Sequence, residues 1–170
     1  IAIDVHALLR TIHEEARALS GGRHSILLEP GPAASLWGDE REVRSAIANL
    51  VSNAVRYTPK DGRITLAWSE RDGEGCMSVE DTGIGIETRH VPRITERFYR
   101  VDTSRSRETG GTGLGLAIVK HVLTHHQARL EVASEPGKGS RFTAVFPARR
   151  VTWLAAQEAA TGPATEKLAR

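Results

Sequence analysis

The sequence predicts an α+β fold, a two-layer sandwich in which one mixed sheet of about five strands is covered on one face by about three helices. Three observations carry that prediction. Apolar residues recur at helical spacing in three segments, they alternate with polar residues in several others, and glycine-bearing turns join neighbouring alternating runs. At 170 residues the chain is one ordinary domain in length, enough to bury a core without disulfides or a structural metal.

After a short apolar start, Val5, Leu8, Leu9, Ile12, Ala16 and Leu19 form a helical stripe, and Gly21-Gly22 follows where a helix would stop. His24 to Glu29 and Ser35 to Gly38 read as short strands separated by the breaker run Pro30-Gly31-Pro32. Asp39 is placed to cap a second helix whose stripe is Val43, Ala46, Ile47, Leu50, Val51 and Ala54, ending near Tyr57 ahead of Pro59. Arg63 to Ser69 alternates Ile64, Leu66 and Trp68 against polar neighbours, and Asp72-Gly73 turns it into a second extended run, Cys76 to Asp81. From Thr82 to Gly113 periodicity is weak, apart from a short helix expected around Val91 to Phe98, and a connection that long suggests a lid. Leu114 to Gln127 resumes helical spacing, and Arg129 to Ser134 and Arg141 to Phe146 form a hairpin about Gly137-Lys138-Gly139. This divides the chain into a folded domain, 1–148, and a tail, 149–170, expected to be helical or disordered.

Composition excludes more than it selects. Hydrophobic residues make up 39% and charged residues 26%, and the formal charge is only +2. The basic residues are dispersed among acids with no aromatic-interleaved stripe, which argues against nucleic acid as a partner. The single cysteine, Cys76, lies in an apolar run and is expected to pack as a small hydrophobe in a reducing compartment. No apolar run reaches the ~18 residues of a membrane span, and the start lacks the basic and hydrophobic regions of a signal peptide. The fragment itself is therefore expected to lie outside the membrane.

Three clusters carry chemistry. Asn49 and Asn53 stand four apart on the second helix, and Arg56 lies seven from Asn49, so two amides and a guanidinium share one face. Neutral oxygens there could complete the shell of a Mg²⁺ that keeps waters and nucleotide phosphates; surface asparagines bonding locally would show the same spacing. Asp81-Thr82-Gly83-Ile84-Gly85-Ile86 puts a carboxylate at a strand end before two glycines, a design for accepting the exocyclic amine of adenine and equally for an Asx-turn. Gly110-Gly111-Thr112-Gly113-Leu114-Gly115-Leu116 opens a helix with glycines, and its free N–H groups suit a phosphate. Neither familiar dinucleotide nor P-loop spacing is present, and Gly137-Lys138-Gly139-Ser140 reads as a hairpin turn.

In order, Asn49-Leu-x-x-Asn53-Ala, Asp81-x-Gly83-x-Gly85-Ile86, Phe98-Tyr99-Arg100 and Gly111-x-Gly113-Leu114-Gly115-Leu116 resemble the N, G1, F and G2 boxes of sensor histidine kinases. The resemblance covers roughly residues 1–148 and is strongest to the phosphate-regulon sensor kinases. It implies the Bergerat ATP-binding sandwich shared with gyrase and Hsp90, and ATP and Mg²⁺ as cofactors. It also implies that Asn49 and Asn53 are metal and phosphate ligands and that Asp81 takes the adenine amine. Gly83, Gly85, Ile86 and Tyr57 would shape the base pocket. Arg56, Arg100, Gly111, Thr112, Gly113, Leu114, Gly115 and Leu116 would form the lid and triphosphate site. Position 56 is often Lys in the family, and the planar fork of Arg changes that contact.

Hydrolytic relatives of the fold place a glutamate where Asn49 stands. An amide cannot take a proton from water, so transfer to a nucleophile supplied from elsewhere is implied. None of the seven histidines has the context of the phosphoacceptor box, and each is expected at a surface or in helix packing. The resemblance therefore implies as partners the kinase's own dimerisation and histidine phosphotransfer domain and a cognate response regulator. It further implies a cytoplasmic domain of a parent anchored in the inner membrane. Two alternatives stay open: a degenerate nucleotide- or partner-binding module, and an ATPase of the same superfamily using another carboxylate such as Glu42.

Overall fold

The structure, a computed structural model, describes residues 1–99 and 114–154. Strand β1 (Ala2–Asp4) leads directly into helix α1 (Val5–Ser20), whose first turn is capped by Asp4 accepting from the Ala7 N–H at 3.1 Å. Gly21, in the left-handed region at φ 59°, closes α1 by donating its N–H to the Arg17 carbonyl. Strands β2 (Ser25–Glu29) and β3 (Ala34–Trp37) follow, then α2 (Glu40–Tyr57). The cap of α2 is Asp39, accepting from the Glu42 N–H at 3.1 Å, and acids in its first turn and Arg56 in its last complement the helix dipole. Thr58, extended ahead of Pro59, ends it.

Strands β4 (Arg63–Arg71) and β5 (Glu74–Asp81) form the expected hairpin, with Asp72 and Gly73 both at positive φ. After α3 (Gly115–His125) come β6 (Arg129–Glu135) and β7 (Gly139–Phe146). These strands make one five-stranded sheet in the order β2-β4-β5-β7-β6, mixed because β2 runs parallel to β4 while the other pairs are antiparallel. The predicted layer of about three helices on a sheet of about five strands is what the chain forms.

One face of that sheet and the apolar stripes of the three α-helices among the described residues share a single core. Leu9 and Ile12 of α1, Ile47 and Leu50 of α2 and Val119 and Leu123 of α3 meet Leu66, Trp68, Met77, Val79, Phe142 and Phe146. Full burial of each such side chain is worth roughly 1.5–3 kcal/mol, so this layer contact dominates stability. Cross-strand register aligns the core-facing residues in rows. Leu66 stands opposite Val79, which stands opposite Phe142; one row further, Ile64, Asp81 and Ser140 are aligned. A carboxylate thus ends the inward-facing series Met77, Val79, Asp81 along β5. The other face carries ion pairs, Arg71–Glu131, Arg129–Glu74 and Arg141–Glu80, over a buried Cys76 whose thiol pKa burial pushes up.

Two expectations require correction. The short helix expected near 91–98 is instead a 3₁₀ segment, Thr88–Arg93, with Pro92 inside it. Proline has no N–H to give to an α-helical ladder, which confines the segment to tight turns. The tail expected to be helical or disordered from 149 onward instead begins with fold: after a 3₁₀ turn at Ala148–Arg150, β8 (Val151–Trp153) pairs with β3. Together β1, β3 and β8 form a second, three-stranded sheet that the sequence did not announce. Residues 155–170 lie outside the described residues. Trp153 lies 5.4 Å from Trp68, centroid to centroid, and donates its indole N–H to the Gly73 carbonyl at 3.2 Å. Truncation after Arg150 removes this aromatic pair and the strand that carries it. The expected result is a loss of about 2 kcal/mol, read as a lower urea midpoint at unchanged slope.

Candidate functional site

The core rows and α2 fix where the polar residues gather. Asp81 sits at the end of β5 and is only 7% exposed. Its Oδ1 accepts the Gly83 N–H at 2.8 Å, and the Ser140 N–H also donates to the carboxylate. Burial holds the Asp81 pKa above the ordinary carboxylate value, with those two N–H donors pulling the other way. The turn after Asp81 wraps onto the end of α2, where the Ile84 N–H donates to the Tyr57 carbonyl at 3.3 Å. A Cβ on Gly83 would come within 2.4 Å of that same carbonyl. Gly85, at φ 73°, lies so close to the β6–β7 hairpin that a Cβ would meet the Glu135 carbonyl at 2.1 Å. Both glycines are therefore required by close backbone approach, whatever ligand the turn meets.

Eight residues earlier than Tyr57, Asn49 faces the start of α3. Its side-chain N–H donates to the Ser45 carbonyl at 2.9 Å, and no hydrogen bond to Oδ1 is made among the described residues. That oxygen lies 3.1 Å from where a Cβ on Gly115 would be, so the first residue of α3 abuts the asparagine. Asn53 and Arg56 are half-buried on the same side of α2, and the Arg56 guanidinium donates to the Ser52 hydroxyl at 3.3 Å. The N-cap residue of α3, Leu114, makes no side-chain cap hydrogen bond. Ile86, Tyr99 and Leu116 pack against the core at partly buried positions. Arg100, Gly111, Thr112 and Gly113 lie outside the described residues, as does the later part of the expected lid, 100–113.

The donor set suits Mg-ATP in kind. Asn49 offers a neutral oxygen, which a cation retaining waters and phosphate oxygens can use, and Asp81 offers a buried acceptor for an amine. Among the described residues, one cluster of metal-type ligands lies elsewhere, Glu42 with His125 and His126. The buried His126 accepts the Asp39 N–H at Nε2 and donates from Nδ1 to the Val122 carbonyl, so neither nitrogen is free for a cation. What remains is a half-exposed His125–Glu42 hydrogen bond at 2.6 Å. Four further histidines do structural work: His6, His13 and His24 bond the carbonyls of Gly31, Ile26 and Thr58, and His90 bonds the Tyr99 hydroxyl, while His121 is exposed.

Sequence reasoning missed Ser134 and Ser140. Ser134 Oγ accepts the Ile86 N–H at 2.7 Å and lies 2.7 Å from Ser140 Oγ, tying the glycine turn to the hairpin that holds Asp81. The only signal was that Ser140 follows Gly139 in what reads as an ordinary turn.

Because the folded-state pKa of Asp81 is raised, the native chain binds the extra proton in the window between the unfolded and folded values. Its contribution to stability is full below that window and is lost as pH rises through the folded pKa. Asp81→Asn removes the buried charge, so without ligand the variant should match or exceed the parent in Tm at neutral pH. That advantage should shrink on acidification, as followed by thermal melts from about pH 4 to 8.

The family described as histidine kinase-, DNA gyrase B- and HSP90-like ATPase matches residues 38–150. The phosphate regulon sensor protein PhoR of Pseudomonas aeruginosa is 57% identical over 150 residues, which cover 88% of this chain and 34% of that protein. PhoR of Haemophilus influenzae is 39% identical over 148 residues, 87% of this chain and 35% of that protein. The chain thus spans about a third of the length of these curated relatives. Among solved structures, the mycobacterial sensor histidine kinase MprB superposes with a TM-score of 0.77 at 27% identity, covering 86% of this chain and 97% of that one. Full-length ShkA, solved in complex with AMPPNP, superposes with a TM-score of 0.75 at 30% identity, covering 86% of this chain and 30% of that one. From the match over residues 38–150, together with the shared sandwich, the chain belongs to the family of histidine kinase-, DNA gyrase B- and HSP90-like ATPases.

Proposed function

We propose that the chain binds Mg-ATP and donates its γ-phosphoryl group to a histidine on a separate dimerisation and phosphoacceptor domain, as the catalytic domain of a phosphate-type two-component sensor kinase. The observation that carries this reading is the pairing of a buried carboxylate, Asp81, with an asparagine, Asn49, whose side-chain oxygen faces the start of α3. Asp81 accepts the exocyclic amine of adenine in a pocket bounded by Gly83, Gly85, Ile86 and Tyr57. Asn49 and Asn53 hold the metal, which neutralises charge on the phosphates; Arg56, Arg100 and the backbone of residues 111–116 orient the triphosphate. An imidazole nitrogen of the partner domain attacks the γ-phosphorus, the bond to the β-bridging oxygen breaks, and ADP leaves with that electron pair. The phosphohistidine then serves a cognate response regulator. The parent protein is anchored in the inner membrane with this domain in the cytoplasm; among the described residues no helix is long and apolar enough to cross a membrane.

The chemistry of position 49 favours transfer over hydrolysis. An amide has no proton-accepting strength at neutral pH, so water is not activated there. The rival base, Glu42, is hydrogen-bonded to His125 and lies two turns before Asn49, about 10 Å along α2.

Calorimetric titration with a non-hydrolysable ATP analogue should show binding that Mg²⁺ strengthens and that Asp81→Asn abolishes. No binding by a folded parent chain would favour a degenerate partner-binding module. With radiolabelled ATP the isolated chain should stay unlabelled and pass label to an added histidine-bearing domain. Label on the chain alone, stable to alkali and labile to acid, would refute the proposed division of labour.

A further inference from the structure

Ser134, Ser140 and Asp81 form one cross-strand row, Ser134 opposite Ser140 on β6 and β7 and Ser140 opposite Asp81 on β7 and β5. Ser134 Oγ has three neighbours at hydrogen-bond distance: the Ile86 N–H at 2.7 Å, the Gly139 carbonyl at 3.1 Å and Ser140 Oγ at 2.7 Å. A hydroxyl has one proton and two lone pairs. The N–H can only donate and the carbonyl can only accept, so the single Ser134 proton goes to Gly139. All three bonds are then made only if the Ser140 hydroxyl donates to Ser134. Ser140, 8% exposed, keeps nothing but lone pairs for anything else beside Asp81.

We propose that Ser134 is a positioning residue for base selection: by directing the Ser140 proton away from Asp81, it makes the pocket wall an acceptor-only surface that selects a 6-amino purine. The inference rests on the nucleotide reading above. An exocyclic amine donates to such a surface, whereas a 6-oxo purine sets its carbonyl oxygen against the lone pairs of Asp81 and Ser140 and is repelled. Through its bond to the Ile86 N–H, Ser134 also holds the glycine turn in register with the same hairpin. Removing its hydroxyl leaves a partly buried N–H unpaired and frees the Ser140 proton to donate.

The test is calorimetry with ATP, ITP and inorganic tripolyphosphate, each with Mg²⁺, on the parent chain, Ser134→Ala and Ser134→Thr. Ser134→Ala should bind ATP about tenfold more weakly and narrow the preference for ATP over ITP by a similar factor. Its affinity for tripolyphosphate, which has no base, should be unchanged, and Ser134→Thr should restore parental behaviour. Ser140→Ala, which deletes the acceptor while leaving Ser134 bonded to Ile86 and Gly139, should narrow the same preference and keeps the idea testable if Ser134→Ala does not fold. An unchanged ATP-to-ITP ratio in a folded variant, or equal losses for ATP and tripolyphosphate, would overturn the proposal alone. Failure of the parent chain to bind ATP would overturn the nucleotide reading with it.

Discussion

Burial of the α2 stripe against the five-stranded sheet is the contact on which the other features depend. Ile47, Leu50, Val51 and Ala54 anchor the helix over the β4–β5–β7 rows. The intervening residues Asn49 and Asn53 are then held at half-buried positions beside the core. The same packing brings the C-terminal end of α2 onto the turn after Asp81, where the Tyr57 carbonyl accepts from Ile84 and excludes a side chain at Gly83. One apolar contact thereby sets the distance between the ends proposed to bind the base and the phosphates. Loosening it would disturb both at once.

Asp81, the proposed acceptor for the base, is held at some cost to stability. A buried residue that continues the inward-facing series Met77 and Val79 on β5 would ordinarily be apolar too. Burial raises the cost of its charge, and two backbone N–H groups only partly offset that. A carboxylate held this way, short of hydrogen bonds and shielded from water, is a strong acceptor for an amine that arrives with a ligand. The glycines on either side serve the same end, since their missing side chains let backbone from α2 and from the β6–β7 hairpin close around it.

Much of this was legible in the residues. The caps Asp4 and Asp39, the stop at Gly21 and the turn at Asp72-Gly73 are local devices whose chemistry does not depend on distant contacts. The same holds for helical and alternating periodicity, which identified three helices and the five strands of the main sheet. The second sheet was not legible, because β1 and β8 are three residues each and owe their existence to pairing with β3 from opposite ends of the chain. Nor was the serine pair, since two serines six apart around a glycine turn look like turn chemistry until register sets them beside Asp81.

Sequence alone determined the three helices and the five strands of the main sheet, the order of the polar and glycine boxes and the presence of an amide at position 49. These rest on residue type and near-neighbour spacing, which survive in any conformation. Tertiary structure decided which groups face one another: that the Asn49 side-chain oxygen lies toward Gly115, that His126 joins α3 to the cap of α2 through Nε2 while its Nδ1 bonds the Val122 carbonyl of α3, and that the Ser134 and Ser140 hydroxyls share a hydrogen bond beside Asp81. Those outcomes depend on hydrogen-bond partners brought together by packing and strand register, and the linear order of residues carries no record of either.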